Sequence, residues 1–114
     1  MLIVQYKPND SSVAIADGKI KEVAEEWVRD ITFHERKVVS ISQLLMIDGI
    51  RAALVDLYVD PSLVVIEVYN ADDELMESVS ITDRYCLTSW NSFPQVQVDC
   101  LRTTIKSRKY GQNN

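Results

Sequence analysis

Residues 43–58, QLLMIDGIRAALVDLY, set the tightest limit on what this chain can fold into. Leu44, Leu45, Met46, Ile47, Ile50, Ala52, Ala53, Leu54, Val55 and Leu57 leave Gln43, Asp48, Arg51 and Asp56 as the polar interruptions. A helix this apolar on most of its sides belongs at the centre of a fold, or keeps one face for a partner. Ser42 is the expected N-cap, with Ser40 the other candidate. The pair Asp60-Pro61 stops the helix, because the residue before proline is pushed away from helical geometry.

The remaining elements follow from periodicity. Ile20, Val23, Ala24, Trp27, Val28 and Ile31 recur at three- and four-residue spacing and predict an amphipathic helix with Trp27 in the core. Its outer face carries Glu22, Glu26 and Asp30, which repel one turn apart, offset by Lys21 with Glu25 and Glu25 with Arg29. Residues 2–7 predict a strand, and VAIADG at 13–18 a second one closing on Asp17-Gly18, the two forming a hairpin. A short β-branched piece lies at 36–42. Residues 63–70 and 75–82 predict a half-buried antiparallel hairpin across an acidic turn. Its second strand alternates, with Leu75, Glu77, Val79 and Ile81 on one side and Met76, Ser78, Ser80 and Thr82 on the other. The segment VQVDCLRTTIKSRKY at 96–110 fits strand or helix, and helix is favoured because the alternation breaks at Leu101.

The order β-β-α-β-α-β-β-α, free of repeats and linkers, predicts one α+β domain over 1–110 and a flexible tail at 111–114. Its sheet is expected to be mostly antiparallel, with about five short strands packed against two to three helices. A hydrophobic share of 46% with 25% charged residues is close to the globular average, which argues against disorder.

The chemistry-bearing residues are sparse. His34 is the single histidine, and Cys86 and Cys100 have no CxxC spacing, so neither a metal site nor a Cys–His nucleophile is expected. The cysteines read as packed, reduced thiols of a cytosolic protein. GKIK at 18–21 lacks the upstream glycine of a phosphate loop and has Ile20 where a hydroxyl should follow the lysine. The N-terminal apolar run reads as a strand rather than a signal peptide, and no stretch approaches a membrane span. A net charge of −5 argues against nucleic-acid binding. Weak phosphate contact through Arg102, Lys106 and Lys109 is the exception, and a basic helix end complementing its own dipole is the plainer role. Asp72, Asp73 and Glu74 lack the spacing of a calcium loop and read as a solvated turn that a basic partner can contact. No cofactor, metal or catalysis is expected.

TSWNSFPQ at 88–95 places Trp90 and Phe93 in a loop. They either cap one end of the core, over the 75–82 hairpin and against the second helix, or anchor a partner.

Residues 40–93 run from a serine-led helix through paired strands and an acidic turn to Trp90 and Phe93. That pattern resembles the C-terminal segment of prokaryotic ABC/AAA-type ATPases of phage-defence systems, and small stand-alone proteins encoded beside them. Asp83 and Leu87 fall where the aspartate and apolar residue before the aromatic motif would stand. Asn91 stands where a proline would follow the tryptophan, and the glycine before the motif is missing. The resemblance reaches no ATPase residue. It implies a non-enzymatic interaction module, an accessory or regulatory subunit whose partner is an ATPase, with a homo-oligomer as a further option. The other reading is a phage-encoded or immunity-type inhibitor that covers an enzyme through acidic residues, Glu22 and Glu26 with Asp72, Asp73 and Glu74.

Overall fold

The computed structural model describes residues 1–31 and 36–89. In chain order these form β1 (Leu2–Tyr6), α1 (Ile20–Asp30), β2 (Lys37–Ile41), α2 (Leu44–Asp56), β3 (Val64–Tyr69) and β4 (Leu75–Ser80). Short 3-10 turns lie at Ser11–Val13, Asp17–Lys19 and Pro61–Leu63. The sheet order is β2-β1-β3-β4. β1 is parallel to both neighbours, with Val4 opposite Val39 on one side and Ile66 on the other. Only β4 runs antiparallel, against β3.

This is a small α+β domain with a mixed, mostly parallel sheet of four strands against two helices. The expected sheet, mostly antiparallel and of about five strands, is corrected here. Residue alternation reports which side chains share a face. It does not report strand direction, which the helical crossovers decide. After β4 the chain turns at 82–86 and returns only as an isolated antiparallel bridge, Ile81 to Leu87.

The hairpin expected from residues 2–7 and 13–18 does not form. Ala14 and Ala16 are extended, at φ −63°, ψ 137° and φ −59°, ψ 138°. No described strand pairs with them. The Ile15 N–H donates to Gln43 Oε1 at 2.8 Å, and Gln43 Nε2 donates to the Ile15 carbonyl at 2.8 Å. One side-chain amide takes the place of a neighbouring strand. Gln43 is therefore the residue before α2, where Ser42 or Ser40 was expected, and it makes no side-chain cap.

The core lies on one side of the sheet. Leu2, Val4 and Tyr6 of β1 and Val64, Ile66 and Val68 of β3 pack with Ala24 and Val28 of α1 and Ile47, Ile50 and Leu54 of α2. Each such aliphatic side chain contributes about 1.5–3 kcal/mol through burial. Because β2 and β3 flank β1 on opposite sides while both helices cover one face, the two parallel crossovers turn with opposite hands. One of them departs from the strong right-handed preference. Trp27, expected in the core, is half-buried and packs against its edge. The β3–β4 hairpin forms as expected, but its register shifts between Val68 and Tyr69. Val79 and Ile81 stay buried, whereas Leu75 is exposed.

The helices approach closely at Gly49. A Cβ there would lie 2.9 Å from Ile20 Cγ2 and 3.5 Å from Ala24 Cβ. Ile20 is β-branched and stiff, so it does not yield easily. Gly49→Val should therefore cost about 1–3 kcal/mol in urea unfolding through overpacking. Ala52→Val, one turn on and exposed, should change stability by less than about 0.5 kcal/mol. Equal effects at the two positions would show that the helices do not meet at Gly49.

Candidate functional site

α2 is apolar on two sides. Met46, Ile47, Ile50, Ala53 and Leu54 are buried, while Leu45 and Val55 remain 52% and 46% exposed. At 100° per residue, Leu45, Asp48, Gly49, Ala52, Val55 and Asp56 share one arc of the helix surface. Between this arc and α1 lies a groove of about 370 Å³. Ile20, Leu45, Gly49, Ala52 and Ala53 make its apolar floor, and Asp17, Lys21, Glu25, Asp48 and Asp56 its charged rim. Glu25 pairs with Arg29 at 3.4 Å and Asp48 with Arg51 at 3.1 Å. Asp17 and Asp56 are exposed and form no ion pair among the described residues.

The end of α2 adds an unusual residue. The Val59 N–H donates to the Leu54 carbonyl at 3.0 Å and the Tyr58 N–H to the Val55 carbonyl at 3.3 Å. Leu54 and Val59 are both buried. These are the two bonds and the apolar contact of a Schellman cap. Its left-handed position is normally glycine, yet here it is Tyr58, at φ 54° with a side chain 94% exposed. Tyr85, in the turn after β4, is also left-handed, at φ 63°, but is only partly exposed. Beyond the cap, Asp60 accepts from the Ser62 N–H at 2.9 Å and opens the next turn.

Arg51 steadies the other side of α2. Its Nε donates to the Tyr85 carbonyl at 2.6 Å, tying the helix to the turn after β4. That turn leaves Cys86 exposed, which corrects the expectation of a packed thiol.

A second concavity, of about 360 Å³, sits at the carboxyl ends of β1 and β3, where parallel sheets commonly bind ligands. Lys7, Asn9, Asp10, Asn70, Ala71 and Asp73 line it. Among the described residues its one cation, Lys7, serves two carboxylates, Asp10 and Asp73. Lys7 Nζ lies 3.5 Å from Asp73 and 5.1 Å from the centre of the Tyr69 ring. The hydroxyl and the backbone N–H of Ser12 hold the Asp10 carboxyl below its ordinary pKa. On the sheet face opposite the two helices, Gln5 Nε2 reaches Glu67 and Tyr69 at 3.4 Å each, and Tyr69 Oη donates to Glu67 at 3.1 Å.

Of the residues the sequence singled out, Asp72, Asp73 and Glu74 form an exposed turn. The Asn70 side-chain oxygen accepts from the Asp72 and Glu74 N–H groups at 3.0 and 2.9 Å. Glu22 and Glu26 are exposed on α1, with Glu22 3.4 Å from Lys19. None of these lines the groove, and Asp73 alone lines the second concavity. Trp90, Phe93, Arg102, Lys106, Lys109, His34 and Cys100 lie outside the described residues. Among the described residues no three His, Cys, Asp or Glu side chains are grouped to hold a metal. No described helix is long and apolar enough to cross a membrane. The sequence reading had Asp17 in a turn and Asp56 as a polar break in the helix, did not bring the two together, and missed Tyr58. The surplus of apolar residues in α2 was the available signal for Leu45 and Val55, but nothing local marks Tyr58 as left-handed.

Two measurements check this geometry. Tyr58→Gly should raise stability by about 0.5–1 kcal/mol, because glycine removes the left-handed penalty and little packing is lost. A loss of stability would mean that the Tyr58 ring packs against the fold. Burial first, then Glu67, pushes the Tyr69 phenol above its ordinary value of 10.0. The neutral phenol is thus favoured in the folded state. Its contribution is present below pH 10 and lost as pH rises through the folded pKa. The difference absorbance titration between the protein and Tyr69→Phe should show late ionisation, and a midpoint at or below 10 would contradict it. Comparison of the chain with protein-family models, with curated proteins and with solved structures returns no match.

Proposed function

We propose that the protein is a non-enzymatic interaction module, a cytoplasmic accessory or regulatory subunit of a prokaryotic or phage-related, defence-type ATPase complex. The observation that carries the interaction reading is the outward arc of α2. Leu45, Ala52 and Val55 stay in water beside a groove, and Tyr58 follows at a cost in backbone strain. Isolated apolar residues on a surface are ordinary, but several on one helix arc beside a strained tyrosine make a contact face. The ATPase part rests on the residue pattern of 40–93, and any ATP hydrolysis belongs to the partner. Trp90 and Phe93 stand in this reading as further anchors.

A second reading, inhibition of an enzyme through an acidic surface, is supported by the exposure of Glu22, Glu26, Asp72 and Glu74. Charge reversal separates the two. Glu22→Lys/Glu26→Lys should abolish acid-patch binding and leave binding through the α2 arc.

The test is co-purification of the tagged full-length chain from its native host, with mass-spectrometric identification of what it retains. Leu45→Glu/Val55→Glu should leave the thermal midpoint within a few degrees, because both positions face solvent. It should weaken the captured partner by more than about 30-fold, the cost of removing an interface anchor. A partner retained at full strength by this variant overturns the reading.

A further inference from the structure

Resting on that interaction reading, we infer that the groove between α1 and α2 receives a basic amphipathic segment of the partner protein. Its apolar side chain would sit on Ile20, Leu45 and Ala52, with flanking lysine or arginine meeting Asp17, Asp48 and Asp56.

Charge complementarity selects this occupant. Asp17, Glu25, Asp48 and Asp56 face a single cation, Lys21, across the groove. Arg29 and Arg51 offset Glu25 and Asp48 from outside the groove, and among the described residues no cation pairs with Asp17 or Asp56, which are left to a ligand. Surface ion pairs of that kind contribute only about 0–1 kcal/mol, so the paired carboxylates are readily shared as well. An acidic segment would meet like charge on both walls. A second copy fits badly for the same reason. A two-fold contact brings a patch against itself, which would set Asp48 and Asp56 against their own counterparts in a chain of net charge −5. An apolar floor between charged walls is the arrangement that receives an amphipathic helix.

The experiment is fluorescence anisotropy of labelled peptides with the full-length protein. One peptide carries leucines at i, i+4 and i+7 flanked by lysine and arginine. Its twin replaces every cation with glutamate. The inference expects binding of the cationic peptide only. It also expects a loss of about tenfold or more at high salt, and a similar loss in Asp17→Asn/Asp56→Asn with an unchanged thermal midpoint. Equal binding of both peptides, or indifference to Asp17→Asn/Asp56→Asn, overturns the basic occupant. If neither peptide binds while Leu45→Glu/Val55→Glu still loses the native partner, the groove inference falls and the interaction reading stands. If that variant keeps the native partner too, both fall. A concentration-dependent dimer abolished by Leu45→Glu would make a second copy the occupant, and overturn the inference. Tighter cationic-peptide binding in Arg102→Glu/Lys106→Glu would show that the chain's own basic residues compete for the groove, and overturn it as well.

Discussion

The close approach of α1 and α2 at Gly49 is the contact on which the rest of the structure depends. Both helices must share one face of a narrow sheet, and they can do so only by lying against each other. The absent side chain at Gly49 lets Ile20 and Ala24 come within contact distance of the α2 backbone. Once the helices touch there, the inner residues of α2 reach the β1 and β3 side chains and close the core. The same approach leaves the outer residues of the two helices facing each other across a groove. The core and the candidate site are two sides of one packing decision.

Around that core, polar side chains hold the connections rather than the interior. No polar or charged residue is buried among the described residues. Gln43 pairs with the backbone of Ile15, Arg51 with the carbonyl of Tyr85, and Asp60 with the N–H of Ser62. Each satisfies a backbone group that has no strand or helix partner, which would otherwise be costly to withdraw from water. The Schellman bonds at Tyr58 do the same for the last carbonyls of α2. A small mixed sheet with long connections stays ordered because these single contacts replace missing secondary structure.

The two faces of the sheet differ in chemistry. The helix-covered face is apolar, aliphatic but for Tyr6, while the other carries the bonded row of Ser40, Gln5, Glu67 and Tyr69. That row is hydrogen-bonded within itself, and in the concavity Lys7 meets Asp73 while Ser12 donates to Asp10. The groove between the helices is different. It pairs an apolar floor with carboxylates of which Asp17 and Asp56 form no ion pair among the described residues, and Tyr58 stands exposed just beyond the end of α2. Carboxylates beside exposed apolar side chains distinguish this region, among the described residues, from the other two.

Local pattern determined much of this protein. The stripe from Ile20 to Ile31 specified α1, the β-branched run at 36–42 specified β2, and the alternation across the acidic turn specified the β3–β4 hairpin. The apolar surplus of residues 43–58 implied a helix that is central to the fold or keeps one face for a partner. Only tertiary structure decided how these pieces met. Strand direction depends on where the crossovers go, so β1 became a central strand with two parallel neighbours instead of half of a hairpin. Residues 13–16 are as strand-like as many true strands, but their partner is a side-chain amide about thirty residues away in the chain, a contact no local pattern carries. The left-handed backbone of Tyr58 and the convergence of Asp17 with Asp56 are likewise products of packing. Residues distant in sequence are brought together only when two helices are pressed onto the same face of one sheet.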